Sequence, residues 1–122
     1  MQMLIKNILK LKYKLIAFVY TIWLSFVSLM PLNGMQLPSI VNADKAVHFF
    51  LYFFLTIFWL LAFPNFRQHK TRLIILVISW GIMIEFLQEY VASSRTGDPF
   101  DALANSLGGL VGLWTYFKIV KK

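Results

Sequence analysis

The chain has 122 residues, 59% of them hydrophobic, a net charge of +7 and no cysteine. That length suits one domain, and the lack of cysteine excludes a disulfide scaffold, a thiolate metal site and a cysteine nucleophile. The hydrophobic share exceeds the roughly 45–50% of soluble domains and falls in continuous runs, with the basic residues between the runs rather than along a readout face, which speaks against a nucleic-acid partner.

The first apolar run spans about Leu11–Met30, with Lys12 and Lys14 able to snorkel at its start. Val41-Asn42-Ala43 resembles a small-residue cleavage site, but Pro31, Asn33, Gly34 and Pro38 separate it from the run. The run is therefore expected to stay in the mature protein as a helix. Pro31–Ala43 reads as an irregular loop. A second run, Ala46–Phe63, is aromatic and apolar nearly all round, as suits a helix in lipid. Asp44 stands at its start as an N-cap or first-turn residue. Pro64–Arg72 is a short basic link. The third run, Leu73–Val91, is apolar in its first half and carries Glu85, Gln88 and Glu89 in its second. Ala92–Phe100 is a loop with Ser93, Ser94, Gly97 and Pro99 as breakers. The fourth run, about Asp101–Val120, is rich in glycine. The fold expected is all-α, an integral membrane bundle of four antiparallel transmembrane helices at about 11–30, 46–63, 73–91 and 101–120.

Lys and Arg counts orient the bundle. Four lysines precede or open the first run, the second link holds three Lys or Arg, and the C-terminal end holds three; the first loop with its flank has only Lys45 and the third only Arg95. Alternate ends are basic, so both termini are expected in the cytoplasm.

In that topology the polar residues gather on the outer side. Rising 1.5 Å per residue, Glu85 lies about 18 Å above Leu73, roughly 10 Å inside a ~30 Å hydrocarbon core. Asp44, His48 and Tyr52 are spaced i, i+4, i+8 on one helix face, and Glu85 and Gln88 are i, i+3 neighbours. On the fourth helix Asp101, Asn105, Gly108 and Gly112 fall in a stripe about 60° wide. Gly108 and Gly112 form a GxxxG with Gly109 beside it, which lets another helix approach closely. Each residue has a bland role too. Lys45 can snorkel beside a helix start, His48 can hydrogen-bond at headgroup level, Glu89 can decorate the interface, and Arg95 with Asp98 can form a loop ion pair worth little. Glu85 resists that treatment: a carboxylate so deep must be protonated, paired or hydrated. Lys45 or Arg95 is its expected partner.

The ordered set Asp44-Lys45-x-x-His48 with Tyr52, Glu85-x-x-Gln88, and Arg95, Asp98, Asp101, Asn105, Gly108 and Gly112 resembles the VanZ-like family of small bacterial membrane proteins. The resemblance covers roughly Lys12 to Phe117. It implies a four-helix membrane domain in a cell-envelope setting. The family takes its name from a protein linked to low-level teicoplanin resistance. The family's Arg-x-x-Asp-x-x-Asp is kept as Arg95, Asp98 and Asp101.

Three functions compete. In the first, an outward pocket of Asp44, Lys45, His48, Tyr52, Glu85, Gln88, Arg95, Asp98, Asp101 and Asn105 binds a lipid headgroup or envelope precursor, with Lys45 and Arg95 favouring an anion and the carboxylates an ammonium group. In the second, His48, Glu85 and Asp101 serve a membrane-embedded acyl- or phosphoryl-transfer enzyme. Its metal variant uses Asp44, Asp98, Asp101 and Glu85, with His48 assisting. No HExxH, GxSxG or P-loop supports it. In the third, the chain is an assembly partner, such as a homo-oligomer's subunit, acting through Gly108, Gly109 and Gly112; Gly108→Leu would then abolish function and Glu85→Gln would be silent. The first is the expectation, in contact with membrane lipids, with no metal and no cofactor assigned.

Overall fold

The computed structural model describes residues 1–30, 43–91 and 99–120. Four α-helices follow in chain order: α1 (Gln2–Leu29), α2 (Ala43–Ala62), α3 (Lys70–Val91) and α4 (Pro99–Thr115). A 3₁₀ turn at Pro64–Arg67 joins α2 towards α3, and a π-helical turn, Tyr116–Val120, extends α4. There is no strand among the described residues.

The helix limits follow local chemistry. α1 begins well before Leu11, because its start is set by backbone propensity and not by hydropathy. Residues 2–14 contain no Gly or Pro and are rich in Leu, Ile and Lys, all tolerated in helices. α2 stops at Ala62 because Pro64 pushes the preceding Phe63 out of helical space, to φ −128° and ψ 92°. α4 starts on Pro99, whose missing N–H is no loss in a first turn. Asp101 follows in that turn, where a carboxylate suits the helix dipole.

α2 and α4 form the most intimate pair, α1 lies on α2, and α3 lies on α4 and touches α1. Glycine makes the central pair possible. A Cβ at Gly108 would fall on the Phe49 carbonyl oxygen, and one at Gly112 would lie 2.5 Å from that of Phe53. The backbones of α2 and α4 therefore touch along this stripe. The core beside it holds Leu24, Tyr52, Leu55, Leu60, Leu73, Val77 and Tyr116. α1 is tied on by polar groups. Trp59 Nε1 donates to Thr21 Oγ1 at 2.9 Å, Trp80 Nε1 to Ser25 Oγ at 3.0 Å, and Tyr20 Oη to the Leu51 carbonyl at 2.6 Å.

α1, α2 and α3 are each long and apolar enough to cross a membrane, over Gln2–Leu29, Lys45–Ala62 and Lys70–Tyr90. α4 has 17 residues before its π turn, short of the roughly 20 a bilayer requires. Large apolar side chains are exposed on all four helices, among them Ile22, Phe50, Leu76, Phe86 and Trp114. An apolar exterior of this extent matches acyl chains and not water, and the chain is a membrane protein.

At one end of the bundle Lys14 lies 5.4 Å from the Phe63 ring centroid, Arg67 5.6 Å from Tyr116 and Lys70 4.0 Å from Phe117. The close of α2, the start of α3 and the tail of α4 thus meet under basic residues. The polar groups of α2, α3 and α4 gather at the opposite end.

Candidate functional site

Three helices deliver polar side chains to one end of the bundle, all but Lys45 buried. α2 brings Lys45, His48 and Tyr52, α3 brings Glu85 and Gln88, and α4 brings Asp101 and Asn105. His48, Glu85, Gln88, Asp101 and Asn105 are all buried, Glu85 at 6% exposure and Asn105 at 1%. One turn below, the glycine stripe draws α2 against α4, so His48 and Asn105 face each other across a narrow gap.

The geometry is anchored on His48. Its Nδ1 lies 3.0 Å from Asn105 Oδ1. An amide oxygen only accepts, so with this amide orientation Nδ1 carries the hydrogen and donates. Nε2 then turns to Asp101 Oδ2, 3.6 Å away. The other oxygen of Asp101, Oδ1, is held by Lys45 Nζ at 3.4 Å. Lys45, one of the two partners expected for Glu85, thus reaches Asp101; the other, Arg95, lies outside the described residues. One ligand atom each from His48, Glu85 and Asp101 lie within 4.8 Å of one another.

Tyr52 is fully buried one turn below His48. Its hydroxyl and the Asn105 Nδ2 have no hydrogen-bond partner among the described residues. Both side chains converge on Gly81 of α3: a Cβ there would lie 3.3 Å from Tyr52 Cε1 and 3.3 Å from Asn105 Nδ2. Gly81 makes room for the polar layer. Its isolation in an apolar run, four residues before Glu85, was the sequence signal for it.

Gln88 plays a different part. Its Nε2 donates to the Ser28 carbonyl at 2.8 Å, tying α3 to the end of α1. Ser28, buried at that contact, is a second residue that sequence reasoning passed over, since nothing in an apolar run marks a serine whose carbonyl is the functional atom. Glu89 is exposed. Arg95, Asp98 and the side chain of Asp44 lie outside the described residues. Gly108, Gly109 and Gly112 are buried against α2 and α3 within the chain.

Chemically, the site combines two carboxylates, an ammonium group, an imidazole with a fixed tautomer and two unfilled donors, walled by apolar side chains. Such a site can hold a polar group, exchange a proton or ligate a cation.

Comparison with known proteins places the chain in a family. The VanZ/LLP1 family model matches residues 3–121. An uncharacterised protein of the fission yeast Schizosaccharomyces pombe is 42% identical over 74 residues, covering 59% of this chain and 44% of the yeast protein. The match therefore spans less than half the length of that curated relative. No solved structure matches.

Proposed function

This chain belongs to the VanZ/LLP1 family, and from that premise and the geometry of its polar site we propose that it recognises a polar group of a cell-envelope component. The chain crosses the bacterial cytoplasmic membrane four times in antiparallel fashion, with both termini in the cytoplasm. Basic ends alternate along the sequence as this requires. α4 serves as the fourth span through its continuation from Pro99 to Val120. The polar site then opens below the outer surface, and its ligand is a lipid headgroup or an envelope precursor. Through it the protein contributes to envelope or glycopeptide tolerance.

One observation carries this reading. Two buried donors, Tyr52 Oη and Asn105 Nδ2, have no partner among the described residues, beside a cluster of charged groups. Burying an unpaired polar group costs about 1–3 kcal/mol, and three helices contribute to a place that repeats that cost. A ligand oxygen that accepts from both donors offsets it. The Lys45 ammonium and the carboxylates suit a zwitterionic partner.

Substitution separates this reading from assembly through helix packing. Gly108 and Gly112 face α2 inside the chain, so loss of function on Gly108→Leu would reflect misfolding as readily as lost assembly. Glu85 is the better discriminator. In a strain lacking the gene, complementation with Glu85→Ala, His48→Ala or Asp101→Ala is expected to fail in an envelope-stress or teicoplanin-susceptibility assay. Membrane abundance of each variant should match the wild type. If all three complement fully, the site is not where the protein acts.

A further inference from the structure

The cluster of His48, Glu85 and Asp101 has the organisation of a metal centre. His48 Nδ1 lies 3.0 Å from the buried Asn105 Oδ1, and with this amide orientation it is the donor. A ligating histidine almost always makes such a bond with its remote nitrogen, which fixes the tautomer and frees the other nitrogen's lone pair. In the neutral ring that lone pair sits on Nε2 and faces Asp101 Oδ2 at 3.6 Å, beyond hydrogen-bond length. Two lone-pair atoms facing one another leave a place for a cation between them, a proton or a metal ion.

Asp101 is also oriented as an outer partner would orient it. Lys45 Nζ holds Oδ1 at 3.4 Å, which leaves Oδ2 turned to the imidazole. Glu85 from α3 completes three donors lying within 4.8 Å of one another. Metal–ligand bonds of about 2.0–2.2 Å place neighbouring donors roughly 3.0–3.5 Å apart. The His48–Asp101 separation is already close to that, and a Glu85 oxygen lies within 4.8 Å of both.

We propose that His48 Nε2, Glu85 and Asp101 Oδ2 bind one divalent transition-metal ion. The inference rests on reading this site as a ligand site. An imidazole with two carboxylates favours manganese, iron or zinc over magnesium or calcium. Three protein donors leave coordination positions open for an oxygen of the recognised group. Tyr52 Oη and Asn105 Nδ2 are the buried donors without partners at that level of the bundle, placed to hydrogen-bond an oxygen that the ion holds. The ion turns a general polar pocket into one that selects an oxyanion such as a phosphate or carboxylate.

The test is titration of the full-length protein, purified in detergent and stripped with a chelator, with Co²⁺ and with Mn²⁺. The wild type should take up one Co²⁺ per chain and develop a visible ligand-field band. His48→Ala, Glu85→Gln and Asp101→Asn should abolish saturable uptake, while Trp80→Phe on the same α3 binds as the wild type does. Asn105→Ala should weaken binding about 10- to 100-fold although it supplies no ligand. Each variant is checked for native helix content and monodisperse elution. The rival arrangement is a protonated His48 ion-paired with Asp101, which takes up no ion. A folded wild type with no saturable uptake, or uptake indifferent to His48→Ala and Glu85→Gln, would overturn the proposal. If the wild type binds no ion while the alanine substitutions at His48, Glu85 and Asp101 still abolish the cellular phenotype, the metal is eliminated and recognition stands.

Discussion

Tyr52 is the residue whose placement packing explains least. Phenylalanine would fill the same space in this aromatic helix, yet a hydroxyl is buried there without a partner among the described residues. Removing an unsatisfied buried group is neutral or stabilising, because its desolvation is no longer suffered. Tyr52→Phe is therefore expected to hold or raise the melting temperature in detergent while weakening the cellular phenotype. A fall of several degrees would mean that the hydroxyl has a partner inside the protein. At this scale the sequence was informative about which polar residues would meet and less so about what each one touches. His48, Glu85, Asp101 and Asn105 stood out because polar groups are costly in an apolar helix, and they do meet. Lys45 or Arg95 was expected beside Glu85; Lys45 makes a 3.4 Å contact with Asp101, and Arg95 lies outside the described residues. Gln88 was expected in the pocket, but its amide is engaged by Ser28 of α1. Those choices depend on fractions of a helical turn between separate helices, which spacing within one helix does not contain.

Helix packing has its own hierarchy, set by what each glycine faces. Gly108 and Gly112 meet backbone carbonyls of α2, which cannot rotate away. Gly109 meets Val77 Cγ1 at 2.9 Å, and Gly81 meets nothing nearer than 3.2 Å. Alanine at Gly108 or Gly112 should thus cost about 1–3 kcal/mol or more through overpacking, seen as a lower melting temperature and lower membrane abundance. Gly109→Ala should cost less, since a side chain can yield, and Gly81→Ala least. Equal losses at Gly108 and Gly109 would show that the backbone contact is not the controlling one. The GxxxG was legible as a packing device, but its partner was not: a helix apolar all round has no preferred face from periodicity. α1 shows another limit. Hydropathy marked the portion from Leu11 onward, whereas the helix begins at Gln2, because backbone propensity continues through the lysines where hydropathy stops.

For the whole molecule the outstanding question is orientation. With the basic ends in the cytoplasm, a cysteine at Ser93 should react with an impermeant maleimide added to intact cells, and one at Gln68 only after permeabilisation. The reverse pattern would put the polar site on the cytoplasmic side and remove the envelope ligand from consideration. The sequence by itself determined that the chain is helical and built for a membrane, that it is a VanZ-family protein, and which polar residues are out of place. These follow from composition, run length and residue order, which are properties of the chain taken along its length. Only the tertiary structure decided that α2 and α4 lie backbone to backbone on Gly108 and Gly112, that Asn105 meets His48 Nδ1, and that Gly81 opens space for Tyr52. In lipid the apolar surfaces of helices are nearly interchangeable, so close fit and a few buried hydrogen bonds select the arrangement, and both exist only once the helices have met.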